Sequence, residues 1–101
     1  MTVSTIPSLA ITGTANLSAG SAGAAVALPT TGSPTVALVT NTGEHTVFVA
    51  LAASSSAAIT SAQTGVALSA HEKLPMTIGS NTYLGVFSPY KAITVNVACG
   101  T

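Results

Sequence analysis

Charge is what this sequence has least of. Of 101 residues only Glu44, Glu72, Lys73 and Lys91 are ionic, and aspartate does not occur. An ordinary soluble domain is about a quarter charged. With two lysines as its whole cationic set, the chain lacks the Lys and Arg contacts that nucleic-acid phosphates or an anionic membrane surface require, so both partners are set aside. Without aspartate, most paired-carboxylate designs and the commonest partner of a catalytic histidine drop out. Cys99 is the only cysteine, which excludes an internal disulfide; it reads as a small apolar residue finishing a strand. No apolar run approaches the roughly 20 residues of a spanning helix. The start, Met1-Thr2-Val3-Ser4-Thr5, has neither the basic stretch nor the apolar run of a secretory signal. Asn16-Leu17-Ser18 is accordingly read as a chance match to a glycosylation sequon.

What the chain does have is apolar content, 48% of residues, and a net charge of zero. That combination opposes disorder, which pairs low hydrophobicity with high net charge. About a hundred residues suit one domain with a single two-layer core. A surface of Ala, Ser and Thr is cheap to desolvate, because no ion loses its water when the surface is covered. Composition therefore points to assembly against other protein.

The periodicity is that of strands. Ile93, Val95 and Val97 alternate with Thr94, Asn96 and Ala98, a two-residue period with one apolar face. Val47, Val49 and Leu51 alternate with Phe48, Ala50 and Ala52, apolar on both faces, which predicts a strand that is central or covered on both sides. Val36–Val39 and Thr46–Val49 flank Asn41-Thr42-Gly43-Glu44 and predict a hairpin. Leu74, Met76 and Ile78, followed by Gly79-Ser80-Asn81 and Tyr83–Phe87, predict a second one. Pro75 lacks an N–H and places its strand at an edge or a bulge. Leu9–Thr12 and Ala24–Leu28 are further candidate strands, joined by the small residues Ser18–Gly23. Ser54–Thr64, with three consecutive serines and no charged helical face, is expected to be a long loop with a short strand near Ala58-Ile59. Seven or eight short strands with frequent Gly, Pro and Asn punctuation make an all-β fold, an antiparallel β-sandwich or jelly-roll-like domain over residues 8–101, preceded by an N-terminal arm over 1–7.

Val39-Thr40-Asn41-Thr42-Gly43 running into Thr46-Val47-Phe48-Val49-Ala50-Leu51 resembles the core of small tailed-bacteriophage virion proteins. The later strands, Tyr83-Leu84-Gly85-Val86 and Thr94-Val95-Asn96-Val97-Ala98-Cys99-Gly100, occupy the places that pattern leads one to look for. The likeness spans Val36 to Gly100. It implies a head decoration or cement protein, a β-sandwich on the capsid exterior, and it supplies no catalytic residues.

A search for chemistry finds little. Glu44 adjoins His45 and His71 adjoins Glu72, but sequence neighbours on a strand point to opposite faces, so neither pair is oriented like an acid–imidazole dyad. A Gly-x-Ser-x-Gly elbow is missing, and the His, Glu and Cys spacing matches no zinc or calcium signature. No catalytic, metal or cofactor-binding residue is assigned, and no cofactor is expected. Aromatic rings are few; Phe48 and Tyr83 are assigned to the core or to a seam between subunits, and Tyr90, beside Pro89 and Lys91, is the ring expected to be exposed and to anchor a contact.

The composition and the resemblance together predict a structural virion protein whose partners are the major capsid protein and copies of itself, as a dimer or trimer on a symmetry axis. Its contact residues are expected in the arm, Met1, Thr2, Val3, Ser4, Thr5, Ile6 and Pro7, in the small-residue segment at Ser54, Ser55 and Ser56, and at Tyr90. The alternative is a glycan- or surface-binding module of a phage fibre or tail. Ice binding is disfavoured, since Thr-x-Thr occurs only at Thr12-Gly13-Thr14 and Thr40-Asn41-Thr42.

Overall fold

A computed structural model describes residues 10–101. The arm expected over Met1–Pro7, with its contact residues, and the start of the sandwich at Ser8 lie outside the described residues. Eight strands follow in order: β1 (Ile11–Ala19), β2 (Ala24–Ala27), β3 (Val36–Asn41), β4 (Val47–Ala52), β5 (Val66–Leu68), β6 (Lys73–Thr77), β7 (Tyr83–Phe87) and β8 (Ile93–Gly100), with one helix, α1 (Ser55–Ala62), between β4 and β5.

The strands form two four-stranded antiparallel sheets, ordered β1-β8-β3-β6 and β2-β7-β4-β5. β1 pairs with β8, β2 with β7, β3 with β6 and β4 with β5. The first half of the chain thus lies antiparallel to the second as one long ribbon, and successive strands fall in opposite sheets except β4 and β5, which are neighbours in one sheet. That is the jelly-roll version of the all-β sandwich. Its core is aliphatic. Ile93, Val95, Val97 and Cys99 of β8, with Ala37 and Val39 of β3, face Leu84 and Val86 of β7 and Val47 and Val49 of β4. The two-residue alternation read in β8 is what places these residues inside and Thr94, Asn96 and Ala98 outside.

Both expected hairpins are overturned. β3 pairs with β6 and β8, and β4 pairs with β5 and β7, so the Asn41–Glu44 turn carries the chain from one sheet to the other. The Gly79–Asn81 turn does the same between β6 and β7. An Asn/Gly turn reverses the chain whichever sheet the next strand joins, and the choice of partner belongs to long-range burial. β4 lies between β7 and β5, consistent with its two apolar faces, and β6, with Pro75, is an edge strand. Phe48 lies opposite Phe87 with ring centroids 6.1 Å apart, on the outer side of its sheet and half-buried; Tyr83 is half-buried as well.

Ser54–Thr64 is not a loop with a strand. Residues 55–62 are helical, capped by Ser54, whose hydroxyl accepts the Ala57 N–H at 3.2 Å. Alanine is the best helix former and a serine cap satisfies an orphan donor. A charged face is unnecessary, because α1 lies on the outer face of the β2-β7-β4-β5 sheet and needs only a narrow apolar stripe. Ala58 and Ala62, one turn apart, are fully buried there. Beneath them runs the row Ala25, Gly85 and Ala50. A Cβ on Gly85 would overlap the Ala58 carbonyl and one on Gly65 the Val49 carbonyl, so glycine is what permits this approach of backbone to backbone.

Candidate functional site

The topology sorts the chemistry of the chain to one end. The loops β3–β4 (42–46), β5–β6 (69–72) and β7–β8 (88–92) meet at the same end of the sandwich. They carry Glu44 and His45, His71 and Glu72, and Tyr90 and Lys91, while Lys73 opens β6 beside them. All four ionic side chains and both histidines of the sequence therefore collect at one pole. At the opposite end Ala10 exchanges two backbone hydrogen bonds with Thr101, and the connections 28–35 and 78–82 hold no charge.

Asn41 holds the charged pole together. It is fully buried at the end of β3. Its Nδ2 donates to the His45 carbonyl at 2.8 Å and the Leu68 carbonyl at 3.1 Å, and its Oδ1 accepts the Gly43 N–H at 2.9 Å. Its backbone N–H donates to the Glu72 carbonyl at 3.0 Å. One side chain thus ties β3–β4 to the end of β5, with every polar atom satisfied as burial demands. The β5–β6 loop closes on itself, since the Glu72 carboxylate accepts the Ser69 N–H at 2.8 Å while the Glu72 N–H donates to the Ser69 carbonyl. That closure needs His71 in the left-handed region, φ 61°, a conformation histidine tolerates better than most residues.

The sequence neighbours Glu44–His45 and His71–Glu72 do not pair with one another. Instead Glu44 meets His71 across two loops, carboxylate to Nε2 at 3.3 Å. The two side chains are 83% and 65% exposed, so water screens the pair and it contributes little stability. His45 turns to Tyr90, with ring centroids 4.3 Å apart. Tyr90 is 74% exposed, as expected. Beside this tilted pair of rings lies a shallow cleft of about 370 Å³ walled by Thr42, Glu44, His45, Lys91 and Thr94. Among the described residues no three His, Cys or Glu side chains come close enough to share a metal ion. Cys99 is buried in β8 opposite Gly13 and Ala37, at the other end from both histidines. A thiolate–imidazole pair is therefore excluded by geometry. Burial pushes its thiol pKa up, away from reactivity.

Ser54, Ser55 and Ser56 are exposed but sit at the uncharged end, where Thr82 bonds to Ala52 and Ala53 just before the helix. They do not form one patch with Tyr90. A broader surface went unnoticed in the sequence: the outer face of the β1-β8-β3-β6 sheet. Its rows run Thr14, Ala98, Leu38, Pro75 and Asn16, Asn96, Thr40, Lys73, with Asn96 Nδ2 donating to Asn16 Oδ1 at 3.0 Å. Lys73, on the edge strand, is its only ion. No other element of the described chain lies over this face. Period-two alternation flagged each strand separately, but only the pairing shows that their outward residues form one neutral plane.

No family model, curated protein or solved structure matches the chain.

Proposed function

We propose that this chain is a structural virion protein of a tailed bacteriophage, which sits on the capsid exterior and joins the major capsid protein and copies of itself through uncharged surface. The observation that carries the reading is the neutral outer face of the β1-β8-β3-β6 sheet, a surface of Thr, Asn, Ala, Leu and Pro with one lysine at its margin. Covering it desolvates almost no ion. An interface of standard size, about 1,600 Å², at about 25 cal/mol per Å² for its apolar part, holds such a contact, and repetition over a shell adds avidity. Jelly rolls serve in viral shells and in lectins alike, so the fold agrees with the reading without selecting it.

Mass spectrometry of purified virions produced from the genome that encodes this chain tests the proposal: the protein is expected at many copies per particle, and its absence from the particles refutes it. Leu38→Glu and Thr94→Lys, on the neutral plane, are expected to abolish binding to heads while leaving thermal unfolding almost unchanged. Because few charges take part, wild-type binding should vary little between low and high salt.

One observation favours a second reading, a glycan-binding module of a fibre or tail. Tyr90 presents an exposed ring, braced by His45, beside a cleft that gathers a carboxylate, an ammonium and two hydroxyls. Glycan-array binding that is lost in Tyr90→Ala and kept in Leu38→Glu would favour that reading over the first.

A further inference from the structure

A sandwich exposes four strand edges, and three of these are guarded. β6 carries Lys73 and Pro75, both devices that discourage strand addition. β2 and β5 are only four and three residues long. β1 differs, running nine residues with neither charge nor proline.

Its first turns are partly blunted. The register slips between Ile11 and Gly13. The β2–β3 connection lies against this part, close enough that a Cβ on Gly32 would meet Thr12 Cγ2 at 2.9 Å and one on Gly13 would meet Pro29 Cβ at 2.7 Å. Beyond it, among the described residues, Thr14–Ser18 is hydrogen-bonded to β8 on one side and to no strand on the other. Such a row of backbone donors and acceptors is a template for another strand. The side chains suit the same end. Thr14, Asn16 and Ser18 are exposed on the neutral plane, while Ala15 and Leu17 are only half-buried at the rim of the core, next to the half-buried Ala24 and Val26 of β2.

We propose that Thr14–Ser18 pairs antiparallel with the same segment of a second copy of this chain, across a two-fold axis at Asn16. The centre follows from the free stretch, whose midpoint is Asn16. Thr14 then faces Ser18 of the second copy, Ala15 faces Leu17, and Asn16 faces Asn16. No like charges meet, because the segment has none. Asn16 Oδ1 already accepts from Asn96, which leaves the Asn16 amide N–H groups to donate across the axis. Ala15 and Leu17 of both copies complete each other's core margin, as an isologous contact requires. Two four-stranded sheets become one of eight strands, and two neutral planes become one continuous surface. The pairing rests on the assembly reading and names the edge through which self-assembly occurs.

Light scattering of the purified full chain should report twice the chain mass at micromolar concentration. Asn16→Lys sets two ammonium groups opposite each other and should weaken the dimer at least about tenfold, with thermal unfolding of the monomer little changed. Under mild oxidation Asn16→Cys should cross-link to itself. Thr14→Cys alone should not, whereas an equal mixture of Thr14→Cys and Ser18→Cys should. A monomer at every concentration, or failure of Asn16→Cys to cross-link in a dimer, overturns the pairing. So does a cross-link between Asn16→Cys and Ser4→Cys in place of self-pairing, which makes the first residues of another copy the occupant. A dimer with the expected cross-links from a protein missing from virions would sink the virion reading and leave the pairing intact.

Discussion

The two outer faces of the sandwich are built from similar small residues and meet opposite fates. Over the β2-β7-β4-β5 sheet, α1 sits so close that Gly85 has no room for a methyl group. Over the β1-β8-β3-β6 sheet, the described chain places nothing, and Thr14, Asn16 and Thr94 stand exposed. Small side chains therefore serve two ends here. They allow backbone-to-backbone packing where the chain covers itself, and they keep desolvation cheap where it does not. The difference lies in which residues flank the covered face: Ala58 and Ala62 supply an apolar stripe at helical spacing, and no segment of the described chain supplies one for the other plane.

Substitutions test that contrast directly, and the largest effect is expected under the helix. Gly85→Val forces α1 off its sheet and should cost about 3 kcal/mol or more, whereas Ala98→Val, central on the open plane, should stay within about 0.5 kcal/mol; urea titration of both variants measures the gap, and equal costs would erase the distinction. Next in size is the pole of the open sheet. Asn41→Ala leaves the His45 and Leu68 carbonyls and the Gly43 N–H without their partner and should destabilise by about 2–4 kcal/mol, with hydrogen exchange rising first in the β3–β4 loop. Asn41→Asp, which keeps the acceptor and loses both donors, should recover little of that.

The helix cap comes third. Ser54→Ala removes the acceptor for Ala57 N–H and should cost about 1 kcal/mol; a change at the level of noise would mean that packing on the sheet alone holds α1. The smallest effect is a pH dependence. Burial raises the Cys99 pKa in the folded chain, so the folded state keeps a proton that the unfolded state releases. Its contribution is complete below about pH 8.5 and is lost as pH climbs above that value. The denaturation midpoint should fall between neutral and alkaline pH, and Cys99→Val should reduce the slope.

Much of the sandwich was legible residue by residue. Period-two alternation marked β8, the two apolar faces of β4 announced a central or covered strand, and Pro75 announced an edge or a bulge, of which β6 is the edge. What misled was everything decided at a distance. Asn41-Thr42-Gly43 reads as a hairpin turn because local chemistry is the same whether the next strand pairs beside β3 or crosses to the other sheet. Ser54–Thr64 read as a loop because a helix resting on a sheet through two alanines has no need of a charged face. The site was harder still. Glu44 and His71, 27 positions apart, carry no shared motif, and the role of Asn41 as a buried tie appears only once the β3–β4 loop and the end of β5 meet on it. Tyr90 was legible as an exposed ring, but its tilted contact with His45 was not.

The amino-acid order alone settled that this chain is a β protein with an almost ion-free exterior, since alternation and composition are properties of each short segment. It could not place its few ions. Rolling the ribbon into two sheets brought all four of them and both histidines to one pole, left one plane neutral, and left β1 as the one long edge strand among the described residues without charge or proline. Those outcomes depend on which strands pair, and pairing is chosen by the burial of the whole core, a quantity that no local stretch of sequence contains.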